Sequence, residues 1–195
     1  GDMVKTVRRL AVYCGSAIGS DPAFAEAARA TAKAMVEADV DLVYGGGRLG
    51  LMGTIADAVL DLGGRVYGVI PHALVDLEVA HQGLTELHRV ANMHERKAKM
   101  TDLADAFLAL PGGIGTLDEL FEAWSWNALG YHAKPFCLLN VDGFWDGMIA
   151  FIDHATQSGF LSPQRRAQLL VAETPEQALE RLDEAAAAAT QGMVW

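Results

Sequence analysis

Residues 111 to 119 read Pro-Gly-Gly-Ile-Gly-Thr-Leu-Asp-Glu and directly follow the apolar run Ala106 to Leu110. A buried strand, a loop with little side-chain bulk and a helix start meet there. Glycines let backbone N–H groups approach an anion, and a helix start adds unpaired N–H groups and a positive dipole end. Gly112, Gly113, Ile114, Gly115 and Thr116 are therefore candidate phosphate ligands. Glu119 carries two readings. Thr116 and Glu119 have the spacing of a capping box, in which Thr116 is the N-cap and Glu119 folds back onto its N–H. A carboxylate beside a phosphate nest at a strand's carboxyl end also stands where an attached sugar would lie. Spacing alone leaves both open.

Arg96 and Lys97 pose the same choice. Adjacent cations early in a helix oppose its dipole, so a purely structural helix gains nothing from them. A solvated basic face, which Lys99 would extend, is the bland alternative. Function is favoured for Arg96, whose planar guanidinium can grip phosphate or carboxylate through two hydrogen bonds.

Gly45-Gly46-Gly47-Arg48-Leu49-Gly50 matches G-x-G-x-x-G after a strand and before a helix. Dinucleotide binding would require an acidic residue about 20 positions on, at the end of the next strand. That strand ends Val69-Ile70-Pro71-His72, with no acid. The turn is better read as tight packing or as one wall of a mononucleotide pocket, with Gly46 and Gly47 facing Cys14, Gly15 and Ser16. Met93, opening the helix that carries Arg96, is a further wall candidate.

Other chemistries fail on spacing. His94-Glu95 begins like a zincin helix, but Ala98 stands where the second histidine is needed, and the remaining histidines form no spaced metal set. The Pro111 loop has Thr116-Leu117 where a P-loop needs lysine and a hydroxyl residue, which argues against ATP hydrolysis. A formal charge of -10 argues against a general nucleic-acid binder. No run approaches the roughly 20 apolar residues of a membrane span.

These groups need a scaffold, and short apolar runs alternate with helical patterns throughout. Strands are expected at 10–13, 41–44, 65–70, 85–90, 106–110 and 136–140, with a short edge strand at 169–172. Helices are expected near 22–39, 51–62, 93–104, 117–128, 145–158 and 175–189. The segment from His72 to Gly83 has no clean period and is a candidate substrate loop or lid. Such alternation implies an α/β, three-layer fold, a mostly parallel sheet with helices on both faces and ligands at the carboxyl ends of the strands. The chain reads as one domain over 3–195, with Gly1-Asp2 a cloning scar ahead of Met3. Cys14 and Cys137 sit at strands and are expected to be reduced and buried, which with the absence of a signal peptide gives a cytoplasmic expectation.

With Met93-His94-Glu95-Arg96-Lys97 and the Pro111 to Glu119 run in order, the chain resembles the LOG family, the cytokinin riboside 5'-monophosphate phosphoribohydrolases. The likeness extends from about Ala11 to Ala172 and includes Tyr44 to Gly47, Glu78 to His81 and Trp126 to His132. It implies a Rossmann-like fold, a homodimer, no cofactor, and hydrolysis of the N-glycosidic bond of AMP or an N6-modified AMP to free base and ribose 5-phosphate. Position by position, it implies Arg96 and Glu119 as the catalytic pair, Gly112 through Thr116 as the phosphate loop, and Glu78 and Lys97 as substrate-binding. Asp118, where glutamate is common, and Ile114 depart mildly from the family pattern and bear on base preference. Relatives often carry a lysine decarboxylase label, but no pyridoxal-phosphate lysine with its partner groups is identifiable.

Breaking a nucleotide's C1'–N bond builds positive charge on the sugar, which a carboxylate stabilises. An ordinary glutamate has a pKa of about 4.3, and a helix start favours its ionised form. Glu119 is therefore expected to be ionised at neutral pH and to act mainly as an electrostatic stabiliser, with Arg96 holding the ribose-phosphate end and orienting it.

Overall fold

Seven short strands set the architecture, most of them apolar through all but a first charged residue and only the edge strand β4 largely polar: β1 (Arg9–Tyr13), β2 (Asp41–Tyr44), β3 (Val66–Pro71), β4 (Glu86–Val90), β5 (Ala106–Ala109), β6 (Phe136–Leu139) and β7 (Leu169–Ala172). A strand with no polar face must be covered on both sides, which is the condition of a parallel sheet. The computed structural model, which describes residues 5–192, shows one sheet in the order β4-β3-β2-β1-β5-β6-β7 with every pairing parallel. The expected α/β class is present, wholly rather than mostly parallel. Gly1-Asp2, expected to be a scar, lie outside the described residues.

Helices α1 (Pro22–Glu37), α2 (Gly50–Asp61) and α7 (Pro175–Gly192) share one core with one sheet face, around Leu10, Met35, Leu42, Ile55 and Leu182. Helices α3 (Met93–Leu103), α4 (Ile114–Ala128) and α5 (Asp146–Gln157) cover the other, around Tyr13, Met100, Phe107, Leu120 and Ile152. Local chemistry sets the boundaries. Asp21 caps α1 through Ala23 N–H with Pro22 in the first turn, and Asn92 caps α3 through Glu95 N–H. Gly63, at φ 84°, ends α2 in a conformation that side chains rarely adopt.

The sheet order reverses direction at β1. Chain after β1 runs outward to β2, β3 and β4, and the chain after β5 runs the other way. The loops leaving β1 and β5 therefore diverge around a crevice at the carboxyl ends of the strands. They touch at its base, where Gly15 N–H donates to Pro111 O at 3.1 Å.

Two expectations change in detail. Helix α4 begins at Ile114, with Gly113 as N-cap, so Thr116 lies inside the first turn and the capping box does not form. The glycines allow the chain to turn three residues earlier than the hydroxyl signal suggested. A short helix, α6 (Pro163–Ala167), capped by Ser162, fills a stretch where no element was expected.

Candidate active site

The crevice is a cleft of about 440 Å³, lined by the β1 exit (Cys14, Gly15, Ser16), the α2 entry (Leu49, Met52), the loop after β3 (Leu74, Leu77, Glu78), α3 (Met93, Arg96) and the α4 entry with Glu119. Larger and more apolar space lies elsewhere, against α4, α5 and α6, yet none of the expected site residues faces it. The switch-point cleft gathers them.

Its two helix entries differ. At α2, the Leu51 N–H donates to the carbonyl of Gly15 at 3.0 Å, so that end is tied to the β1 loop. At α4, no described residue accepts from the N–H groups of Ile114, Gly115 or Thr116, and Leu117 N–H is the first to bond back, to Gly113 O. Three unpaired donors at a helix start beside a cleft make an anion site. Gly112 supports this turn from behind. A Cβ there would run into Thr116 Oγ1 and lie 2.9 Å from Gly15 N. Gly112 faces the adjoining hollow under Ile18, Phe24 and Phe144 and does not line the cleft itself.

Arg96 is buried, and the chain uses every one of its N–H groups. Nε donates to Val69 O at 3.0 Å, Nη2 to Gly45 O at 2.6 Å and to Glu78 Oε2 at 3.1 Å, and Nη1 to Glu78 Oε1 at 3.1 Å and Met93 Sδ at 3.7 Å. Gly45 is required for this, since a Cβ there would collide with Nη2. The guanidinium reaches the cleft wall with its fork spent on Glu78, so its gift to a ligand is charge and a fixed neighbour rather than a free clamp.

Glu119 is the opposite case. Among the described residues its carboxylate makes no ion pair or hydrogen bond, and it faces the cleft between Arg96 and the α4 entry. Burial pushes its pKa from the ordinary 4.5 to about 7; the Arg96 and Lys97 charges oppose that rise, and those of Glu78 and Asp118 add to it. The expectation that Glu119 is fully ionised at neutral pH is corrected accordingly: loss of hydration outweighs the helix start and the nearby cations. Beneath it, Cys14 and Tyr13 are buried and their acid forms are held still more firmly by the same loss of hydration and by the Glu119 charge.

Three further sequence candidates land outside the cleft. Lys97 turns away to α4, with Nζ 3.2 Å from Asp118 Oδ2 and 2.5 Å from Glu122 Oε2. Its neighbour on the helix is separated from it by a 100° turn, so only one of two adjacent cations can face inward. Gly46 and Gly47 stand behind the wall rather than on it: a Cβ on Gly46 would press on Leu87 and Ile70, and one on Gly47 on the Glu78 carbonyl at 2.8 Å. These glycines admit the loop after β3, which supplies the wall in their place.

That loop, the irregular His72 to Gly83 segment, is ordered by its own bonds. A 3₁₀ turn at His72–Leu74 is followed by Glu78 N–H to Leu74 O, Arg48 N–H to the carbonyls of Glu78 and Val79, and a single bridge between Gly47 and Ala80. Leu49, Met52, Leu74 and Leu77, which line the cleft, carried no motif that could have marked them; their signal is only that each flanks a turn at a strand's carboxyl end.

Comparison with known proteins gives the chain a family. A profile of the family described as "Possible lysine decarboxylase" matches residues 52–182. The chain is 46% identical over 195 residues to the cytokinin riboside 5'-monophosphate phosphoribohydrolase LOG of Oryza sativa subsp. japonica, covering 100% of this chain and 81% of that one. It is 47% identical over 177 residues to LOG2 of Arabidopsis thaliana, which bears the same activity in its name, covering 91% and 83%. The chain belongs to the LOG family. Among solved structures, the molybdenum cofactor binding protein from Rippkaea orientalis superposes with a TM-score of 0.68 at 20% identity, covering 94% of this chain and 98% of that one. The molybdenum cofactor carrier protein of Chlamydomonas reinhardtii gives 0.69 at 17%, covering 92% and 98%. These share the LOG fold.

The decarboxylase description implies pyridoxal phosphate, which needs a lysine amine in the site. Among the described residues lining the cleft none is lysine, and Lys97 Nζ is committed to two carboxylates. The residues do not fit that cofactor.

Proposed function

We propose that the protein hydrolyses the N-glycosidic bond of AMP or an N6-modified AMP, giving the free base and ribose 5-phosphate. One observation carries this reading: an unpaired carboxylate with a pKa near neutrality shares a 440 Å³ cleft with three unpaired N–H groups at a helix start. The family membership supplies the reaction class.

In this reading the 5'-phosphate sits on the N–H groups of Ile114, Gly115 and Thr116, remote from the bond that breaks. Anchored there, it spends binding energy on placing C1' against Glu119. The base lies along Leu49, Met52, Leu74, Leu77 and Met93. As the C1'–N bond breaks, its electron pair leaves with the base, and C1' becomes electron-poor. Ionised Glu119 stabilises that centre and accepts a proton from the water whose oxygen bonds to C1'; the base takes a proton from solvent. A carboxylate of pKa about 7 is better matched to this transfer than an ordinary one. Arg96 acts through its charge and by holding Glu78, while Glu78 forms the wall beside the sugar. Lys97 fixes α3 to α4 through Asp118 and Glu122.

The protein is proposed to work as a single-domain homodimer in the cytoplasm. Support for the dimer comes from the apolar space of about 620 Å³ between α4, α5 and α6, with Phe121 and Phe160 exposed at its rim. Free, buried Cys14 and Cys137 fit a reducing compartment.

Incubation with AMP and with N6-isopentenyl-AMP, followed by chromatography of base and sugar phosphate, tests the reading. Stoichiometric release of base and ribose 5-phosphate is expected, and it should be lost in Glu119→Gln. Nucleotide binding without product would make the protein a sensor instead.

A further inference from the structure

We propose that His81 and Asp57 form a positioning pair that holds the loop after β3 in the register at which Glu78 grips Arg96. The inference rests on the hydrolase reading above, because it concerns how that site is held.

His81 is a buried polar side chain in a segment with little core of its own. Its backbone N–H donates to Gly46 O at 2.9 Å. Its ring makes two directed bonds. Nδ1 accepts from Gly83 N–H at 2.9 Å, so the proton of the neutral imidazole sits on Nε2, which lies 2.6 Å from Asp57 Oδ1 on α2. The ring thus spans from the end of the loop to the helix. Three residues earlier stands Glu78, both of whose oxygens are on Arg96. Between them, the Gly47 to Ala80 bridge and the Arg48 N–H bonds to the carbonyls of Glu78 and Val79 hold the chain flat against the Gly45 turn. Val79 adopts φ 52°, a conformation that a β-branched residue keeps only when its surroundings impose it. The imidazole supplies that constraint from one side and the Glu78–Arg96 pair from the other.

Release of the loop would move Glu78 relative to Arg96 and so change the field at Glu119. The charges facing Glu119 are Arg96 and Lys97 from α3, Glu78 from the loop and Asp118 from α4, with the buried Tyr13 and Cys14 at the end of β1 held in their uncharged forms beside it. If Glu78 withdraws, Glu119 loses an anion that favours its protonated form and meets a less neutralised Arg96. Its proton is then lost at lower pH. Ordinary loss of stability would lower the melting temperature without moving that titration.

The test compares Asp57→Ala, Asp57→Asn and His81→Ala with the wild type, using N6-isopentenyl-AMP and AMP as substrates. Asp57 is largely exposed, so its variants are expected to fold. Asp57→Ala should lower kcat by about tenfold, the order expected when a site is misplaced by a fraction of an ångström. It should also move the rising limb of the pH profile to lower pH. Asp57→Asn keeps an oxygen that can accept from Nε2 and should restore both values. Amide exchange in residues 75 to 83 should quicken in Asp57→Ala and His81→Ala and stay slow in Asp57→Asn. Unchanged kinetics, pH limb and exchange in Asp57→Ala would overturn the pair's role. A wild type that releases no base would instead overturn the hydrolase reading, and the exchange result would still decide whether the pair holds the loop.

Discussion

Replacing Glu119 by Gln should stabilise the protein at alkaline pH while abolishing turnover. A carboxyl whose pKa is raised in the folded state keeps its proton there longer than in the unfolded chain. Below pH 4.5 both states are protonated and the group contributes nothing. As pH climbs from 4.5 toward about 7, the unfolded chain ionises first, and the folded state loses relative stability until Glu119 ionises too. At about 1.4 kcal/mol per pH unit, the interval amounts to about 3 kcal/mol by pH 8. Gln has nearly the same shape and no proton to lose, so it escapes that cost. For a chain of this length about 3 kcal/mol corresponds to roughly 6 to 12 °C in Tm. Thermal unfolding of both proteins at pH 5 and pH 8 measures the double difference. Turnover reports the same group: if the ionised form is the active one, about one molecule in eleven is competent at pH 6 and about ten in eleven at pH 8, so kcat/KM should rise about tenfold between them. A Tm gap that does not change with pH, together with a flat activity profile, would refute the claim that burial governs this carboxylate.

Arg96→Lys keeps the charge but loses the fork, leaving at least one carbonyl or carboxylate oxygen without its donor. A loss of about 3 kcal/mol in urea unfolding and a fall of about a hundredfold in kcat/KM are expected. An active, equally stable variant would remove Arg96 from the account. Two glycines of the proposed phosphate turn should separate fold from ligand. Gly112→Ala collides with Thr116 and the Gly15 backbone and should lower Tm, whereas a Cβ on Gly115 meets nothing within 4 Å, so Gly115→Ala should keep Tm. The latter should raise KM for AMP and leave any hydrolysis of adenosine, which carries no phosphate, untouched; equal effects on both substrates would place the phosphate elsewhere. Glu78→Gln removes an anion beside Glu119 and loosens Arg96, so the rising pH limb should shift to lower pH with a smaller plateau rate, and a shift to higher pH would contradict the charge arrangement.

The scaffold was legible because parallel strands buried on both faces announce themselves as short apolar runs between helical periods, and each expected strand formed, including the polar edge strand β4, which is exposed on much of its length. The Pro111 loop was equally plain, since only a helix start with small residues explains it. Geometry that depends on distant partners was not. Thr116 looked like a cap because a hydroxyl three residues before a glutamate is locally the best one, but the chain turns at Gly113, where Gly112 and Gly15 pack backbone on backbone. Lys97 looked like its neighbour Arg96 in sequence and faces the other way in space. The proton affinity of Glu119 could not be read from its local helix start, because burial among residues from five separate segments sets it.

The arrangement of Arg96 explains how such a carboxylate stays useful. An arginine bonded directly to Glu119 would hold it ionised, and a firmly ionised carboxylate is a poor acceptor for a proton from water. Here the guanidinium is saturated by Glu78, Val69, Gly45 and Met93 before it reaches Glu119. Its field still tempers the cost of charging Glu119, but no hydrogen bond fixes the charge in place. Glu78 is thus more than a wall. It occupies the fork, offsets part of the positive charge and adds its own repulsion, and all three effects move the proton affinity of Glu119 upward toward neutrality. The irregular loop that carries Glu78 therefore sets base strength as much as it sets the shape of the cleft.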